Sequence, residues 1–120
     1  MMEHKPFRFG VIGISAHSRK EWISKARHAE TLGFSTFMVW DHFNEQLAPI
    51  PALMAVADAT TSLRIATCVL ANDFRHPALL AKEAATLDLL SDGRFELGIG
   101  AGWNRDDYLQ IGRASCRERV

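Results

Sequence analysis

Cysteine is scarce in this 120-residue chain, which has only Cys68 and Cys116. They lie far apart and match neither a metal-ligand spacing nor a disulfide framework, so reduced thiols are expected and no metal site is. An excess of either charge is also missing. The 14 basic and 14 acidic side chains cancel, which removes the electrostatic footprint of a nucleic-acid or anionic-membrane binder. No apolar run approaches the ~20 residues that span a bilayer, and the first ten residues lack the apolar core of a signal peptide. A cytoplasmic protein is expected. What is present, 48% hydrophobic and 23% charged residues, is the composition of an ordinary globular protein.

The apolar pattern alternates between two periods. Phe7 to Ile14 reads as a buried parallel strand. Ser18 with Glu21 three residues later forms a capping box, and Trp22, Ala26 and Ala29 then repeat on one helical face until Gly33 stops the helix after about Leu32. Glu21 and Lys25 make a favourable i, i+4 pair on its wet side. Ser35 to Trp40 is a second strand. Pro51 suits the first position of an alanine-rich helix reaching about Thr60. Leu63 to Leu70 is a third strand, and Pro77 opens a helix with Leu80, Ala84 and Leu87 as its buried stripe. Asp92-Gly93 makes a turn into a fourth strand, Arg94 to Ile99, which runs into Gly100, Ala101 and Gly102.

Strands therefore recur about every 30 residues, the size of one βαβ step, and right-handed crossovers make the sheet parallel. The fold class is α/β. Four such units amount to the N-terminal half of an eight-stranded (β/α)8 TIM barrel of ~250 residues, but a doubly wound open sheet has the same local grammar. The periodicity leaves both open. It ends before Ile111 to Val120, IGRASCRERV, a stretch whose ten residues are compatible, codon by codon, with a common sequencing adapter read in reverse complement. Residues 1–110 are expected to form the partial barrel domain, and residues 111–120 to be a non-native tail without regular packing.

Ligands of parallel β/α folds gather at the carboxyl ends of the strands. The first end offers Ser15, His17 and Ser18, the second Asp41 and His42, the third Cys68 to Arg75, the fourth Gly100 to Asn104. Asp41-His42 is the most suggestive pair, because an imidazole can move or share a proton with a redox cofactor and a neighbouring carboxylate can orient it. The same pair also fits a loop histidine that merely caps a strand. Gly98 to Trp103 fails the G-x-G-x-x-G dinucleotide fingerprint, since Trp103 stands where the last glycine belongs. Arg75 and His76 are candidates for an anion contact, and Trp103 or Phe43 for the wall of an aromatic ring. Trp22 and Trp40 are assigned to the core, and Cys68 to a packed thiol on a buried strand.

Three stretches, FRFGVIG (Phe7 to Gly13), AETLGFSTFMVWDHF (Ala29 to Phe43) and TTSLRIATCVLANDFRHPALLAKEAATLDLLSDGRFELGIGAGW (Thr60 to Trp103), together resemble the luciferase-like monooxygenase superfamily, particularly its coenzyme F420-dependent branch. That resemblance implies the barrel instead of the open sheet. It implies His42 as the catalytic proton handler and Asp41 as a cofactor contact, with a non-proline cis peptide at a bulge, Cys68-Val69, pressing on the cofactor ring. Cys68, Val69, Ala71, Ala101, Gly102 and Asn104 fall in the cofactor-binding strand ends. The full-length protein is expected to pass a hydride between F420 and a small-molecule substrate, and to pair as a homodimer through its second and third helices.

An FMN-dependent monooxygenase is the alternative within the superfamily. A non-catalytic fragment and a nicotinamide-binding doubly wound domain are alternatives outside it. Two departures bear on substrate: the F420-dependent sugar-phosphate dehydrogenases carry a catalytic glutamate where this chain has Trp103, and a threonine where it has Ala71. A sugar phosphate is therefore not implied.

Overall fold

In a computed structural model, which describes residues 4 to 113, the chain alternates strands and helices. The order is β1 (Gly10–Gly13), α1 (Arg19–Thr31), β2 (Thr36–Val39), α2 (Pro49–Ala59), β3 (Arg64–Thr67), β4 (Leu70–Ala71), α3 (Pro77–Leu90), β5 (Phe95–Glu96), β6 (Ile99–Gly100) and α4 (Arg105–Gln110), with a single 3-10 turn at Asn72–Phe74. The parallel strands pair in the order β1-β2-β3-β5, and β4 pairs with β6 in a second short ladder.

Local chemistry sets most of these boundaries. The Ser18 hydroxyl accepts the Glu21 amide at 3.1 Å, and the Glu21 carboxylate accepts the amide of His17, so the expected capping box closes one residue early. Glu21 and Lys25 form the expected ion pair at 2.7 Å. Gly33 follows α1 with φ 84°, which a side chain would strain. Helix α2 begins at Pro49 instead of the expected Pro51; both prolines fit its first turn, where no amide hydrogen is needed.

Register decides which face of the sheet meets the helices. Val11, Phe37, Ile65 and Phe95 are ladder neighbours and point toward α1, α2 and α3. There they pack with Trp22, Leu53, Val56, Leu63 and Leu87, and the Trp22 and Phe37 rings meet edge to face at 5.3 Å. The alternate residues Ile12, Met38, Ala66 and Glu96 point the other way. On that inner face Arg8 donates to both Thr36 and Glu96, and Arg64 also donates to Glu96.

The third and fourth expected strands are each broken in two. The Cys68–Val69 peptide is cis, as the resemblance implies, and separates β3 from β4. Opposite it, Gly98 separates β5 from β6: the Thr67 hydroxyl donates to the Gly98 carbonyl and accepts its amide, both at 2.9 Å. A Cβ on Gly98 would stand 2.2 Å from the Thr67 carbonyl oxygen, so only glycine fits. The Cys68 thiol is exposed, not packed as expected: its amide still donates to the Val39 carbonyl at 2.8 Å, and by alternation it follows Ala66 on the sheet face that the helices do not cover, where it borders the hollow. Trp22 lies in the core, whereas Trp40 is only partly buried and lines a hollow. The expected tail lies outside the described residues from position 114 onward, and Cys116 with it.

Candidate active site

The strand ends enclose a hollow of about 330 Å³ lined by Trp40, Asp41, His42, Cys68, Val69, Ala71, Phe74, Gly102, Trp103, Asn104 and Asp107. Of the residues singled out in the sequence, Asp41, His42, Cys68, Val69, Ala71, Gly102 and Asn104 meet there. Ala101 is outside the lining; its carbonyl instead accepts the Tyr108 hydroxyl at 2.7 Å.

Asp41 does not orient His42. Its buried carboxylate accepts two hydrogen bonds from the Arg75 guanidinium, at 2.7 and 3.0 Å, and a third from the Ala71 amide at 2.8 Å. That fork-to-fork pairing braces the end of β2 against the segment after β4. It also occupies Arg75, one of the two expected anion contacts. The other, His76, accepts the Ala78 amide and caps α3. Arg75 is thus committed to Asp41, and His76 to the cap through Nδ1.

The carboxylate beside His42 is Asp107, on α4, an element with no apolar period to announce it. Asp107 Oδ2 stands 2.6 Å from His42 Nδ1, and Oδ1 accepts the Phe43 amide at 2.9 Å. The side chain is 3% exposed. Its sequence signal is a capping one: Asn104 with two acids at the second and third positions after it, the Asn104 side-chain Oδ1 accepting the Asp106 amide. Asp107 occupies the third helical position, where a carboxylate ordinarily folds back to its own cap, and here reaches across to His42.

Aromatic rings frame the imidazole. Trp40 and Trp103 approach it edge-on, with centroids 6.5 and 5.8 Å away. Phe43 packs on Phe74 at 4.7 Å, and Phe74 on Tyr108 at 6.0 Å. Gly102 has φ 79°, and a Cβ there would meet the Tyr108 hydroxyl at 2.4 Å. The turn before α4 therefore requires glycine on two counts. Among the described residues no group of three His, Cys, Asp or Glu side chains could hold a metal ion, and no helix is long and apolar enough to cross a membrane.

A parallel β/α sheet whose strand ends converge on one hollow, with a carboxylate-bound imidazole at its edge, has the arrangement in which β/α proteins hold small ligands. The chain belongs to the luciferase-like monooxygenase family, whose sequence profile matches residues 6–120. An uncharacterized protein of Mycobacterium tuberculosis is 34% identical over 118 residues, covering 79% of this chain and 42% of the relative. The F420-dependent glucose-6-phosphate dehydrogenase of Amycolatopsis mediterranei is 35% identical over 102 residues, 78% of this chain and 31% of the relative.

Among solved structures, the coenzyme F420 dependent tetrahydromethanopterin reductase of Methanopyrus kandleri superposes with a TM-score of 0.78 at 26% identity, over 88% of this chain and 30% of that one. The oxygenating constituent of the 3,6-diketocamphane monooxygenase of Pseudomonas putida, solved with FMN, gives 0.79 at 23% identity over 94% and 34%, a likeness of fold. The chain thus spans less than half the length of these proteins. The fold is the partial barrel, and the family contains both F420-dependent and flavin-dependent oxidoreductases.

Proposed function

We propose that the full-length protein is an oxidoreductase that passes a hydride between coenzyme F420 and a small organic substrate, with the cofactor ring seated at the strand-end hollow. The observation that carries this reading is His42, whose Nδ1 is tied to a buried carboxylate while its Nε2 makes no hydrogen bond among the described residues. When bound, the deazaflavin supplies the hydride chemistry. The chain's own residues do the rest. Val69, half-exposed beside the cis bond, offers an apolar surface to a flat ring, and the bare backbone at Gly102 permits close approach. Trp103, 70% exposed, walls the same side. His42 holds or releases a proton at Nε2 next to the reacting ring.

The lining fits the group: a largely apolar cradle with His42 Nε2 at its edge. Two relatives that use F420 support the choice of cofactor. FMN is the second reading, supported by the FMN-bound neighbour of the same fold. Cytoplasmic location and a homodimer through α2 and α3 belong to the same proposal; Leu79 and Leu90 stand exposed beside Ile50 and Met54 in a shared groove there. The 120-residue chain alone is proposed to be inactive.

Titrating the full-length protein with F420 and separately with FMN, by fluorescence, tests the reading. Saturable F420 binding supports it; tight FMN binding with no response to F420 selects the flavin reading, and binding of neither overturns both. In the F420 enzyme, His42→Ala should keep the fold and cofactor binding and lose ~10²-fold or more in turnover. Parent-like turnover would reduce His42 to a structural residue.

A further inference from the structure

Asp107 does more than neighbour the imidazole; its two oxygens have fixed and different duties. Oδ1 faces the Phe43 amide, which can only donate, so that oxygen must accept. Oδ2 faces His42 Nδ1 at 2.6 Å, and an ionised carboxylate likewise has nothing to donate. In the neutral ring the proton must then sit on Nδ1, which leaves Nε2 bare. A 180° flip of the ring would replace Nδ1 by Cδ2 opposite Asp107 and forfeit the 2.6 Å bond, so the pairing also fixes the ring's orientation, with Trp40 and Trp103 flanking it edge-on.

We propose that Asp107 is a positioning residue that locks the proton of neutral His42 on Nδ1 and presents Nε2 to the hollow as a proton acceptor. The catalytic meaning of the lock rests on the function proposed above; the lock itself does not. Its consequence is a sense of direction. With Nε2 unprotonated, His42 accepts a proton from substrate or cofactor in one half-reaction and returns it in the other, while Asp107 stabilises the imidazolium between them. The helix α4 thereby takes part in chemistry performed at the end of β2.

Asp107→Asn is a nearly isosteric inversion of this arrangement. The Phe43 amide keeps the substituted side chain's oxygen on its side, because two donors cannot face each other, so the NH2 group of that side chain must point at Nδ1. Nδ1 must then accept, and the proton moves to Nε2. Shape is conserved and the tautomer is reversed.

The test uses full-length protein with 15N-labelled histidine, raises the pH until the spectrum shows a singly protonated His42 ring, and reads by NMR which ring nitrogen keeps the proton. The parent should show protonated Nδ1 and bare Nε2, and Asp107→Asn the reverse. With F420 bound, the variant should keep the parent's cofactor affinity and KM while kcat falls ~10²-fold or more, as expected when a proton-transfer group starts in the wrong state. A proton on Nε2 in the parent overturns the proposal without any variant, which covers the case of a variant that fails to fold. An unreversed tautomer in Asp107→Asn overturns the lock, and a reversed one with parent-like turnover overturns its positioning role. If neither cofactor binds while both tautomers come out as expected, the proposed function fails and the lock stands.

Discussion

At the scale of single residues, Asp41 and His42 show how adjacency in sequence misleads. The pair was legible as chemically interesting, and both residues do line the hollow. Consecutive side chains of an extended segment point to opposite sides, however, so Asp41 turns to Arg75 and Ala71 while His42 turns to Asp107. A brace and the proposed acid-base group are thus neighbours in sequence that pair with different partners. In the full-length protein Asp41→Asn should cost about 2–3 kcal/mol in urea unfolding, because it strands a largely buried guanidinium. Unchanged stability with lost cofactor affinity would instead return Asp41 to direct contact with the ligand. Asn104 is similar: it borders the hollow, and its side-chain oxygen caps α4.

At the scale of elements, caps and prolines made α1, α2 and α3 readable, whereas α4 has six residues and no apolar repeat to detect. The breaks after Thr67 and Glu96 were invisible to periodicity as well, since both segments read as continuous apolar strands. One element junction carries a pH signature. Glu30, in the last turn of α1, accepts the amides of Thr61, Ser62 and Leu63 and the Ser62 hydroxyl at a single oxygen, fixing the loop between α2 and β3.

Burial opposes ionisation there, but these donations outweigh it and bring the Glu30 carboxyl from its ordinary 4.5 down to about 2. A lowered folded-state value stabilises above the unfolded one. The contribution should be whole above pH 4.5 and fade as pH falls toward 2. Glu30→Gln should therefore cost ~1–2 kcal/mol at neutral pH, discounted for partial exposure. The gap between parent and variant should close across that acid range in pH-dependent denaturation. A gap independent of pH would assign the effect to shape.

For the whole molecule, the two faces of the sheet differ in what covers them. Helices seal Phe37 and Ile65, while Ile12 and Ile14, 37% and 48% exposed, stand with Met38 and Glu96 on the uncovered side. The 120-residue chain should accordingly bind a hydrophobic dye such as ANS strongly, and the full-length protein weakly. Equal, weak binding by both would mean that the inner face is protected without the rest of a barrel.

The arginine and glutamate cluster on that face, Arg8, Arg64 and Glu96, holds two positive charges around one negative. In contact with water the surplus is absorbed by hydration and counter-ions. Enclosed among strands it would carry a solvation cost of several kcal/mol. A strand that closes over Glu96 is therefore expected to bring a second carboxylate to that level of the sheet. A strand arriving one residue out of step would turn such a group to the wrong side. The cluster is in this sense a register key: an electrostatic vacancy that only a correctly aligned closure can fill.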